Sequence, residues 1–182
     1  MDDDTFLLSK RLTRKGTFGF LLVITLILMV CNNVINAPLT TPEAPYGIIS
    51  FEFARTSQKA ESILASWDEL TRLHAALGLG FDYLFMPAYA ATIGLACLMA
   101  ADVIKGRRWP LPSVGFLLWW GLWLAALLDA IENVGLINIL FGDTGNFWPA
   151  LSYWCALIKF GLVFLGLIYA FYGVVVRVVI RN

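Results

Sequence analysis

Histidine is nearly absent from this chain, with His74 the only one. A haem held by two histidines, or a zinc centre of the three-histidine kind, cannot be built within one copy. Cysteine is scarce too. Cys31, Cys97 and Cys155 show no C-x-x-C spacing, so neither a zinc knuckle nor a redox pair is indicated, and no metal or other cofactor is expected. Glycine-rich phosphate loops and nucleic-acid-binding motifs are missing, which removes nucleotides and nucleic acids as expected partners. Charge is thin, at 14% of residues with a formal net of zero.

What remains is apolar. Over 182 residues, 59% are hydrophobic and 14% aromatic, the composition of an all-α integral membrane protein with no soluble domain left over. A hydrocarbon core of ~30 Å needs about 20 apolar residues per helical crossing. Runs long enough lie at about 17–36, 75–104, 113–141 and 147–178, and they predict a four-helix transmembrane bundle as the single domain 1–182. Residues 1–16 read as a polar arm, with Asp2-Asp3-Asp4 at its tip followed by Lys10, Arg11, Arg14 and Lys15.

Residues 37–74 form the longest polar segment. Pro38, Pro42 and Pro45 stop the first helix. Ile48 to Phe53 fits either a short strand or a partly inserted helix. Thr56 or Ser57 then offers an N-cap to an amphipathic helix, with Ala60, Ile63, Leu64, Trp67 and Leu70 opposite Lys59, Glu61, Asp68 and Arg72. Such a helix lies at the membrane interface or covers an opening as a lid.

Orientation follows from the basic residues. Of 13 Lys and Arg, nine (10, 11, 14, 15, 105, 107, 108, 177 and 181) flank one side, three (55, 59 and 72) sit in the 37–74 loop, and Lys159 is inside a helix. The positive-inside rule places both termini in the cytoplasm and the loop outside. The expected location is a plasma membrane, in a bacterium the inner one.

Ionisable groups inside the membrane carry the functional signal, since each costs roughly 2.5–3.5 kcal/mol at a helix centre on insertion scales. At 100° per residue, Asp129, Glu132 and Asn133 share a face with Gly115, Leu122, Ala125 and Ala126, while Trp120, Leu124, Leu127 and Ile131 take the opposite side. Asp82 falls with Gly78, Phe85, Met86 and Tyr89, and Lys159 with Ser152, Cys155 and Gly166. Asn32 and Asn36 fall with Thr25. Counting a 1.5 Å rise from each inner basic anchor puts Asn32 at about 25 Å, Lys159 at about 27 Å, Asp129 at about 31 Å and Asp82 at about 34 Å. Asn32, Asp82, Tyr89, Asp129, Glu132, Asn133 and Lys159 are therefore expected to form one polar layer in the outer part of the membrane.

Three functions suit such a layer. The first is a pocket for a small amphipathic or lipid-like ligand, with Phe85, Met86, Tyr89 and Trp123 as walls and the loop helix as cover. The second is a buried salt-bridge network in a structural or accessory subunit of a homo-oligomer or larger membrane complex. The third is a proton- or cation-coupled carrier, which with four helices per chain would have to work as a dimer. Three carboxyls against one ammonium argue for more than a balanced network. Ser152 and Cys155 near Lys159 are chance helical spacing, and no catalytic residue is assigned. Membrane lipid is the one partner common to all three readings.

Overall fold

A computed structural model describes residues 3–143 and 145–179, with side chains from Arg14 onward in α1. Asp2, Thr144 and Arg181 lie outside the described residues. The helices are α1 (Asp3–Asn36), α2 (Ile48–Glu52), α3 (Ser57–Ser66), α4 (Glu69–Gly106), α5 (Val114–Leu140) and α6 (Phe147–Val179). A 3-10 turn, Ala37–Leu39, follows α1, and there is no strand among the described residues. Among the described residues four helices, α1, α4, α5 and α6, are long and apolar enough to cross a membrane.

Three boundaries differ from the sequence reading. The expected arm is helical from Asp3 and continuous with the first span, because no proline interrupts it before Pro38. The strand-or-helix segment is the helix α2. The loop helix stops at Ser66, well short of Leu70, because Trp67 is extended and Asp68 starts a new helix by accepting the Thr71 N–H at 2.8 Å. Residues 69–74 thus belong to α4 rather than to the loop, and Leu70 is exposed. At 38 residues, α4 is about 57 Å long, more than a hydrocarbon core needs.

α4, α5 and α6 pack on one another, whereas α1 lies mainly along α4. Small residues allow the close approaches. A Cβ at Gly94 would strike the Trp119 ring, one at Gly115 would meet the Cys97 carbonyl, and one at Gly173 would collide with Ala100. α5 divides as its periodicity requires: Gly115, Leu122, Ala125, Ala126, Asp129, Glu132 and Asn133 are buried, while Trp120, Leu124, Leu127 and Ile131 are exposed.

The buried apolar residues form two clusters. One fills the middle and far end of the bundle, around Cys97, Ile104, Leu122, Tyr169 and Val176. The other joins α2 and α3 to the near end, around Leu39, Phe51, Ile63, Trp67 and Leu136. Residues 37–68 are held there as a cap. The Trp67 indole N–H donates to the Leu39 carbonyl at 2.9 Å, Phe51 packs edge-on against Trp67, and the Lys59 ammonium donates to the Glu43 carbonyl at 2.9 Å. Between the two clusters lie the ionisable side chains.

Candidate functional site

Lys159 is the hub. Its ammonium donates to Asp129 Oδ1 at 2.6 Å and lies 2.9 Å from Glu132 Oε2 and 3.7 Å from Glu52 Oε2. The Glu132 contact is a charge contact outside hydrogen-bond geometry, since neither Glu132 oxygen has a hydrogen-bond partner among the described residues. The Lys159, Asp129 and Glu132 side chains are 7%, 5% and 0% exposed, so the pairs are dry. An ion pair of this kind is bought with desolvation, and breaking it leaves an uncompensated buried charge.

Asp82 stands on the other side of the layer. It accepts from Asn32 Nδ2 at 3.1 Å and from Asn133 Nδ2 at 3.2 Å, which ties α1, α4 and α5 together. Asn133 also donates to the Leu79 carbonyl at 3.1 Å. The Tyr89 hydroxyl donates to Asp129 Oδ2 at 3.0 Å and ties α4 to the ion-pair half. Asn36 donates to Asn32 Oδ1 at 2.8 Å, and about two turns before Asn32 on α1 Thr25 shares a hydroxyl hydrogen bond of 2.7 Å with Thr92. The seven residues named from the sequence are therefore brought together in one layer, as two adjoining groups, Asn32, Asp82 and Asn133 in one and Tyr89, Asp129, Glu132 and Lys159 in the other.

One member was missing from that set. Glu52, at the end of α2, is 8% exposed and points its carboxyl into the layer from the cap. Burial pushes its carboxyl up to about 7, against the opposing pull of the Lys159 ammonium. Glu52 lies in an irregular segment where helical face arithmetic does not apply. Its signal was a lone carboxyl within the apolar run Ile48 to Phe53.

A cavity of about 590 Å³ opens beside the network, between α1, α2, α4 and α6. Asn32, Asn36, Glu52, Asp82, Tyr89, Asp129 and Lys159 form its polar end, and Leu22, Met29, Phe85, Ile93, Phe160, Val163 and Leu167 its apolar walls. Glu132 and Asn133 do not line it; they hold the residues that do. Two expected walls are elsewhere, since Met86 is packed in the bundle core and Trp123 turns outward at 38% exposure. The expected cover is also different. Gly47, Ile48 and Ile49 border the cavity, so α2 and the turn before it cover the opening and α3 does not. Ser152 donates to the Glu132 carbonyl at 3.2 Å and, like Cys155, is absent from the cavity wall.

No group of histidine, cysteine and carboxylate side chains suited to a metal ion occurs among the described residues. No family model, curated protein or solved structure matches this chain.

Proposed function

We propose that this chain is a multi-pass membrane protein that binds a small amphipathic or lipid-like molecule, head in the carboxyl layer and tail along the apolar wall. The observation that carries the reading is the cavity itself: charged and amide groups with Phe85 and Phe160 beside them at one end, mainly aliphatic side chains at the other. The basic residues support a placement with both termini in the cytoplasm and the 37–68 cap outside, in a plasma membrane such as the bacterial inner membrane.

The ion-pair half of the layer has a structural role beside this. Lys159, Glu132 and Asn133 fix how α4, α5 and α6 pack, as an accessory subunit would also require. The carrier reading draws less support, because apolar packing around Cys97, Ala100, Ile104, Leu118 and Val176 fills the far half of the bundle. A coupled carrier needs a polar route through that half.

The test is thermal unfolding of purified protein across a panel of lipids and sterols, with wild type and Asp82→Asn side by side. A true ligand at about 100 times its Kd stabilises by roughly 2.7 kcal/mol. Wild type should gain several degrees from at least one compound, and Asp82→Asn should gain clearly less. Equal gains in both, or no gain in either, would leave only the structural role.

A further inference from the structure

The cavity has an open side. α4 forms its back wall with Asp82, Phe85, Tyr89 and Ile93, while α1 and α6 flank it, each packed on α4 and making little or no contact with the other. The residues bordering the gap, Leu22 and Met29 on α1 and Phe160 and Leu167 on α6, are 37% to 50% exposed although they line the cavity. The space is therefore a slot. In a membrane its mouth faces acyl chains, because the hydrocarbon region holds no water.

Polar bonds fix the back of the slot at two levels. Asn32 donates to Asp82 near the cap, and Thr25 and Thr92 share their hydrogen bond further along, so α1 is held against α4 and the free edge is the one towards α6. Between helices in lipid no hydrophobic drive operates, and such bonds together with close packing set the spacing.

The slot also matches one leaflet in length and in order. From Asn32 to Leu22 the α1 wall runs about 15 Å and from Lys159 to Leu167 the α6 wall runs about 12 Å, against about 15 Å for half of a ~30 Å hydrocarbon core. Carboxyl and amide groups stand at the cap end, where an interface lies, and aliphatic side chains follow towards the middle of the bilayer. That order holds whichever way the bundle is inserted. A lipid in the same leaflet presents head and tail in the same sequence, so it moves into the slot sideways without turning over and without any methylene leaving hydrocarbon. A route from water would carry the tail through the aqueous phase and past α2.

We infer that the cavity is entered sideways from the bilayer, through the slot between α1 and α6, and that its occupant is a lipid of the cap-side leaflet with one acyl chain against Val163 and Ile93. The inference rests on the binding pocket proposed above and names the class of its ligand and the phase that supplies it. The open side means that a cavity of about 590 Å³ need not hold the whole molecule, since hydrocarbon that does not fit stays among neighbouring lipids.

A bimane attached at Val163→Cys or Ile93→Cys, in the full chain lacking its three natural cysteines, reports what reaches the slot. Leu165→Cys, on the exposed side of α6 and outside the cavity, is the lipid-facing reference. In nanodiscs of phosphatidylcholine brominated at mid-chain, Val163 and Leu165 differ by only about 3 Å in depth, so their quenching should agree within about twofold. Ile93 on the back wall should be quenched by the same lipid, which a chain achieves only from inside the slot, and iodide in the aqueous phase should quench neither position. Quenching by iodide would overturn side entry, because the cavity would then open to water. No quenching by either agent would overturn it as well, because the mouth would be closed or covered by protein. The two positions lie on different helices, so one decides the matter if the other variant does not fold. The pocket reading is judged apart by the thermal panel: lipid quenching in the slot with no stabilising compound would keep side entry and remove the specific head site, and iodide quenching with a stabilising compound would do the reverse.

Discussion

Lys159 faces three carboxyls from two different elements, and that geometry sets what its removal must do. Lys159→Met leaves Asp129, Glu132 and Glu52 facing each other in a dry site. The expected loss is about 3–5 kcal/mol, the usual result of breaking a buried pair by deleting one partner. Adding Asp129→Leu should recover part of it and no more, because Glu132 stays uncompensated and Tyr89 loses its acceptor. Unfolding of the single and double variants in mixed detergent measures the coupling, and simple additivity of the two changes would show that they are not partners. At this scale much of the layer was legible. Asp82, Asp129, Glu132, Asn133 and Lys159 sit on long regular helices, where 100° per residue and 1.5 Å per residue locate a side chain well. Glu52 was not, because its position depends on how a five-residue helix docks, and no periodicity encodes that.

That short helix carries no periodic signal in the sequence, and its flanks explain how it is aimed. Gly47, at φ 58° and ψ −127°, turns the chain in a conformation that only glycine adopts easily, and Arg55, at φ 60°, turns it again after Glu52. Between them α2 drives Phe51 into the cap core and Glu52 towards Lys159 on α6, with Asp129 and Glu132 on α5 and Asp82 on α4 behind. The folded carboxyl lies at about 7, above the ordinary 4.5, chiefly through burial. A pKa raised by folding stabilises the docked state fully below about 4.5, and that contribution is lost as pH rises through about 7. Amide exchange over residues 48–53, corrected for intrinsic rates, should therefore show weaker protection at pH 8.5 than at pH 5.5. Glu52→Gln should flatten the dependence; an unchanged slope would assign it to another group. The boundary between α3 and α4 teaches a related lesson. Leu70 continues the apolar spacing of α3, but the Asp68 cap and the Trp67 anchor on Leu39 override that spacing.

For the whole molecule, four apolar runs long enough to cross a bilayer left little freedom, and the described residues form four helices able to span a membrane. The α1 and α6 walls of the cavity were beyond sequence reasoning for a concrete reason: the cavity exists because α1 lies mainly along α4 while α6 packs on the far side, leaving the face between them open above Leu22 and Val163. Its access depends on which way the bundle sits. On the proposed orientation, with nine of 13 basic residues on the cytoplasmic side, the 37–68 cap and the carboxyl layer would lie towards the outer surface, where α2 would shield the head site from the outer aqueous phase. Single cysteines at Glu61→Cys and Gly106→Cys, in a background lacking the three natural cysteines, report the two faces. Both positions are exposed, and a side chain at Gly106 meets nothing within 4 Å, so neither change should disturb packing. An impermeant maleimide added to intact cells should label position 61 and reach position 106 only after the membrane is opened. The opposite pattern would turn the cap to the cytoplasm, and the ligand would then have to enter from the inner leaflet.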